Sequence, residues 1–165
     1  MKKKSFKLGI ILLLALSSYT PSTFSYDIDY FNTVIGEKAV KFADGLETIA
    51  TLLQIEQQYP DFIAQRKFLE KTGILSPKWK SRSPDDILRR GELAYMLVKM
   101  LRLKGGLKAR ILGMNQRFAM EELIYEGIMR EGHQRDLITG QELVYVATSV
   151  AEFMAARHES TSHES

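Results

Sequence analysis

The 165-residue chain contains no cysteine. This excludes disulfides, thiolate metal sites, a cysteine nucleophile and a lipid anchor on cysteine, so the fold has to stand on its own core. Histidine is scarce as well. Of three, His158 and His163 fall in the last eight residues, and His133 has only Glu131 and Asp136 nearby, too weak a set to predict a metal. No glycine-rich phosphate loop, no serine on a glycine-flanked elbow and no calcium loop of alternating acids occurs. The chain therefore reads as non-enzymatic, without metal or cofactor.

Long apolar runs are also missing, with one exception at the start. Lys2, Lys3, Lys4 and Lys7 precede an apolar stretch over residues 8–16, followed by small and polar residues ending in Thr23-Phe24-Ser25. That order predicts a secretory signal peptide over 1–25, because about ten apolar residues fall short of the roughly twenty a spanning helix needs. The expectation is an exported protein, periplasmic or at the cell surface, with no membrane span after cleavage. Four of the 23 Lys and Arg lie in this leader and none of the 20 Asp and Glu, leaving 19 cations against 20 acids, a net −1. The whole-chain pI near 9.0 is thus a property of the leader, and it gives no case for nucleic acid as partner. About 140 residues remain, enough for one domain.

The mature chain carries helical signals. Residues 26–43 lack a sustained period and read as an N-terminal arm. Asp44 with Glu47 has capping-box spacing, and Leu46, Ile49, Ala50 and Leu53 share one face, predicting a helix to about Gln58. Pro60 and Asp61 open a second helix over about 61–72, supported by Ile63, Phe68, Leu69 and the closing Gly73. Residues 76–87 form a proline-fixed polar loop. Leu93, Met96, Leu97, Met100 and Leu101 mark the clearest amphipathic helix, and residues 107–113 are a short extended segment or a turn of helix. Phe118, Met120, Leu123, Ile124 and Ile128 mark a fourth helix closed by Gly127. Thr139 with Glu142 caps a fifth, with Leu143, Val146, Val150 and Met154 inward. Residues 158–165 read as a disordered tail, so the domain spans 44–157 and is all-α, with about five helices.

One pattern is written twice. Glu92-Leu93-Ala94-Tyr95 maps onto Glu142-Leu143-Val144-Tyr145 at an offset of 50, and Leu69 with Gly73-Ile74 maps onto Leu123 with Gly127-Ile128 at 54. Each copy is a helix ending in Gly-Ile, a polar loop, and a helix beginning near a Glu. Residues 44–58 look like the second helix of a preceding copy. Such repeats favour scaffolding or binding over catalysis.

At these residues the chain resembles the S-layer homology (SLH) module over about 61–155. Leu88-Arg89-Arg90-Gly91-Glu92 and Ile138-Thr139-Gly140-Gln141-Glu142 each match part of that family's Ile-Thr-Arg-x-Glu helix start, and Arg117-Phe118-Ala119 is similar to its aromatic-Ala opening. The family's arginine is present as Arg90 and is Gly140 in the second copy. The resemblance implies modules grouped in threes, with basic residues at the helix starts binding anionic polymers of the cell wall.

Residues 78–90 are the basic stretch of this reading, with Lys78, Lys80, Arg82, Arg89 and Arg90 offset by Asp85 and Asp86. Trp79, Arg82, Arg89, Arg90 and Glu92 are the candidate ligand-binding residues: guanidinium groups and free helix-start amides suit a carboxylate, pyruvyl or phosphate group, and Trp79 a sugar ring or the edge of the core. Asp44, Glu47, Gly73, Gly127, Thr139 and Glu142 are structural caps. The leading expectation is an exported envelope protein that binds a cell-wall polymer. The alternatives are a helical adaptor that self-associates or joins an envelope protein, and a small glycan-acting enzyme using Glu121, Glu122 or Glu126.

Overall fold

The computed structural model describes residues 28–162, and side chains from 29 to 160; the expected signal peptide lies outside the described residues. Seven α-helices and one 3-10 turn occur among them: α1 Ile28–Val34, α2 Phe42–Leu52, α3 Phe62–Lys71, the turn Pro77–Trp79, α4 Arg90–Leu101, α5 Leu107–Leu112, α6 Gln116–Tyr125 and α7 Gly140–Ser162. The all-α class stands. No described helix is long and apolar enough to cross a membrane.

The core lies where the apolar periodicity places it. Leu46 and Ile49 of α2, Leu93, Met96 and Leu97 of α4, and Leu143, Val146 and Val150 of α7 are all within 1% of full burial. Around these three, α3 packs against α2, α6 against α4, and α1 against α7.

The starts of α2, α4 and α7 meet in a ring of backbone hydrogen bonds. Val40, Leu88 and Ile138, each one residue before a cap position, are fully buried. The Leu88 amide donates to Val40 O (3.0 Å), Arg90 to Asp136 O (3.0 Å), Val40 to Ile138 O (2.9 Å) and Gly140 to Glu37 O (2.8 Å). Two antiparallel bridges, Lys41 with Ile87 and Arg89 with Leu137, complete it. Each short extended lead-in satisfies the donors of its neighbour, which a buried backbone requires. An acid follows three residues after each cap position, Asp44, Glu92 and Glu142, where the helix dipole favours it.

The first of these starts corrects the reading of Asp44. It is the third-position member of the capping box and not the cap residue itself: Lys41 occupies that position, and Asp44 Oδ2 accepts from the Lys41 amide at 2.7 Å. Glu47 instead accepts from Gln65 Nε2 of α3. The third start follows expectation, with the Glu142 amide donating to Thr139 Oγ1 at 3.2 Å.

Both helices close on a left-handed glycine, the second in a Schellman motif and the first with the Leu75 amide, in place of that of Ile74, donating to Leu69 O at 2.9 Å. Gly73 and Gly127 each sit at φ +74°, and the amides of Gly127 and Ile128 donate to Ile124 O and Leu123 O, capping the last carbonyls of α6.

Elsewhere the boundaries differ from the pattern. The arm over 26–43 contains α1, because Phe31 and Val34, three apart, form a buried face too short to register as a period. The helix expected to reach Gln58 stops at Leu52, where Gln54 turns left-handed at φ +57°. Residues 107–112 are helical. The expected tail continues α7 to Ser162, since no glycine or proline interrupts it and Arg157 is anchored through Nη1 to Leu101 O at 3.2 Å. Ile63, one of the apolar residues that mark the second helix, is 54% exposed.

Candidate functional site

The structure brings Arg82, Arg89, Arg90 and Glu92 together at the start of α4, with Trp79 in the loop before it, and engages them with the fold itself. Arg82 Nε lies 2.7 Å from Asp86 Oδ2, its Nη2 donates to Ile87 O at 2.8 Å, and its Nη1 pairs with Glu92. The same guanidinium covers the Phe42 ring at 4.9 Å. Glu92, buried, also accepts from the Arg89 amide at 2.9 Å. Its two oxygens thus join the loop before α4 to the α4 start.

Arg90 reaches the other way. It is 6% exposed, its Nη1 donates to Glu131 O at 3.0 Å and its Nη2 to Arg130 O, and its Nε lies 2.9 Å from Glu142 Oε1. Gly132 makes the room, because a Cβ there would stand 1.6 Å from Arg90 Nη1. Burial raises the Glu142 carboxyl above its ordinary range, against the opposing pull of Arg90. Gly140 occupies the equivalent place in the last copy, and there a Cβ would lie 1.7 Å from Val34 O. The end of α1 fills the space an arginine would need.

Trp79 is 9% exposed and meets the Tyr95 ring edge-on, centroids 5.4 Å apart and planes at 84°. It closes the core. Arg89 is the exposed member of the set; its Nη1 donates to Arg135 O at 2.7 Å. Four of the five expected ligand-binding residues are therefore engaged with the fold, Trp79 through packing and Arg82, Arg90 and Glu92 through hydrogen bonds or ion pairs.

The acids of α6 do not converge. Glu121 pairs with Arg117 at 2.9 Å on an exposed face, and the groove beside it is shared with His133 and Gln134 rather than Glu122 or Glu126. His133 Nδ1 accepts from the Arg135 amide. No group of three or more potential metal ligands occurs among the described residues.

An open groove of about 1160 Å³ runs along α3, lined by Tyr59, Phe62, Ile63, Phe68, Arg66, Lys67, Lys71 and Pro84, among others. Its aromatic wall is ordered by ring contacts. Tyr59 and Phe68 lie 4.6 Å apart at 35°, Phe62 meets buried Phe42 edge-on at 6.4 Å, and Arg66 covers Phe62 at 5.3 Å. Phe42 connects this wall to the Arg82 knot behind it.

The charge of the groove is one-sided. Arg66, Lys67 and Lys71 face it against Asp61, whose Oδ1 is occupied in capping α3 through the Ala64 amide at 2.9 Å. None of the three cations is ion-paired among the described residues. Half-exposed aromatic rings can meet the C–H faces of a sugar ring, and unpaired cations suit carboxylates or phosphates. Sequence reasoning missed this site because Ile63 and Phe68 serve there only to mark a helix. The available signal was Ile63, Lys67 and Lys71 at four-residue steps, one mixed apolar and basic stripe.

Comparisons with family models, with curated proteins and with solved structures gave no match.

Proposed function

We propose that this is an exported, non-enzymatic protein of the cell envelope whose helical domain binds an anionic cell-wall or surface polymer along α3. The observation that carries the reading is the α3 groove, where aromatic rings and three unpaired cations share one open surface. The signal-like residues 1–25 support export. The ring of three helix starts supports the SLH-like resemblance, whose modules group in threes; the start of α2 supplies the position that the twice-written pattern leaves unfilled.

In this reading the arginines at the α4 start hold the domain together and the polymer is held one helix away. Specificity follows from spacing: sugar rings lie against Tyr59, Phe62 and Phe68 while their acidic substituents meet Arg66, Lys67 and Lys71. The test is sedimentation with purified cell-wall sacculi. Wild type should co-sediment with sacculi that keep their anionic polymers and be released by salt, and Arg66→Ala/Lys67→Ala/Lys71→Ala should bind at least tenfold more weakly. Equal binding of both proteins would place the polymer elsewhere.

A further inference from the structure

Helix α5 is built inside out. Of its six residues only Ala109 faces inward, at 6% exposure, while Leu107, Ile111 and Leu112 are 73%, 72% and 72% exposed. The inner side is tightly fitted: a Cβ on Gly105 would come within 2.8 Å of both Ala109 Cβ and Met114 Cε. The small residue is thus the packed one and the three large apolar side chains stand in water. Exposed apolar groups so close together mark an interaction site.

The segment that carries α5 has charge of one sign, and one acid reaches it from α6: Glu122 Oε2 would lie 3.8 Å from a Cβ on Gly105. Residues 99–117 contain Lys99, Arg102, Lys104, Lys108, Arg110 and Arg117 and no Asp or Glu, in a mature chain whose net charge is −1. Lys99 lies over the Tyr95 ring and Arg117 pairs with Glu121. Arg102, Lys104, Lys108 and Arg110 are exposed and make no ion pair among the described residues. The exposed face of α5 therefore combines projecting apolar side chains with a collar of unpaired cations.

We infer that α5 is a membrane-surface anchor, inserting Leu107, Ile111 and Leu112 among the acyl chains of an anionic bilayer while Arg102, Lys104, Lys108 and Arg110 meet the lipid headgroups. A bilayer fits this chemistry because it offers the two phases the helix presents, hydrocarbon below and anionic charge at the rim. An acidic polymer would satisfy the cations but leave the three side chains in water. The attachment is peripheral, with α5 lying in the interface.

Flotation with vesicles tests it. Among the described residues the buried core cluster runs from Val34 to Ala151, and the expected mature chain from Tyr26 onward is used, with its helical circular-dichroism signal checked first. Vesicles of phosphatidylcholine with about one third phosphatidylglycerol should carry the protein upward, and pure phosphatidylcholine vesicles should not. Leu107→Ser/Ile111→Ser/Leu112→Ser should bind the anionic vesicles at least tenfold more weakly at an unchanged helical circular-dichroism signal. Lys104→Ala/Lys108→Ala/Arg110→Ala should lose about a hundredfold, since each cation near such a surface contributes roughly fivefold.

Three results would overturn the inference. One is absence of flotation with anionic vesicles. Another is flotation unchanged in the serine variant, which would make the attraction purely electrostatic. The third is a wild-type dimer that dissociates in the serine variant without lipid uptake, which would place a second copy of the chain on α5.

Discussion

Arg90 Nε stands 2.9 Å from Glu142 Oε1, tying the first turn of α4 to the first turn of α7. The pair belongs to the ring in which three helix starts complete one another, and it is mostly buried on the arginine side. Removing Arg90 leaves the half-buried Glu142 carboxylate without its cation and two carbonyls, Arg130 O and Glu131 O, without their donor. Arg90→Ala should therefore cost about 3 to 5 kcal/mol in urea unfolding. A loss below about 1 kcal/mol would mean the ring does not depend on this arginine.

Two glycines serve the ring by absence of a side chain, and they should respond differently. Gly132→Ala meets the flexible end of Arg90, so it should cost about 1 to 3 kcal/mol, and the steric share of that loss should vanish in an Arg90→Ala background while the strain of its φ of +159° remains. Gly140→Ala meets the Val34 backbone, so its cost should be at least as large and unchanged by Arg90→Ala. A double-mutant cycle on urea midpoints separates the two cases, and additivity at Gly132 would contradict the packing described.

The Glu142 carboxyl gives the ring a pH signature. Burial raises it more than Arg90 and Arg130 lower it, with Asp136 adding to the rise. A carboxyl that holds its proton more tightly when folded adds stability at low pH, and this is lost as pH rises from the ordinary carboxylate range through the raised value. The stability of wild type minus that of Glu142→Gln should accordingly fall as pH increases across the acidic range. A difference that grows with pH would show that attraction to Arg90 outweighs burial.

Much of the fold was legible from the sequence, and the exceptions have physical causes. The twice-written Gly-Ile close and the Thr139 cap are local devices, set by a left-handed glycine and a side-chain oxygen, so sequence alone finds them. The start of α2 was not found, because Lys41 and Asp44 replace the usual cap with an acid reaching back to a main-chain amide, a pattern that a search for Asp followed by Glu shifts by one turn. Helix α1 escaped because seven residues with two inward side chains show no period.

The candidate site was legible only as a neighbourhood. The sequence shows residues 78–90 to be basic, but whether a guanidinium points to solvent or to a carbonyl is decided by long-range contacts, such as Arg90 with Glu131 or Arg89 with Arg135. The groove next to it depends on Phe62 and Phe68 standing half exposed on α3, where their hydrophobicity alone suggests burial.

The groove also yields a separable prediction. Phe62→Ala removes the ring that meets both Phe42 and Arg66, so it should weaken polymer binding about tenfold through lost stacking. It should also lower stability by about 2 to 3 kcal/mol, since the side chain is partly buried. Lys67→Ala, exposed, should weaken binding and leave the urea midpoint unchanged. Binding and unfolding measured on both variants distinguish contact with the polymer from support of the groove.

The most direct measurement of the central claim compares binding to intact sacculi and to sacculi stripped of their anionic polymers by acid, for wild type and Arg66→Ala/Lys67→Ala/Lys71→Ala. The account predicts salt-sensitive binding of wild type to the intact wall, at least tenfold weaker binding by the triple variant, and little binding of either to the stripped wall. Wild type bound equally to both walls, or to neither, would contradict it.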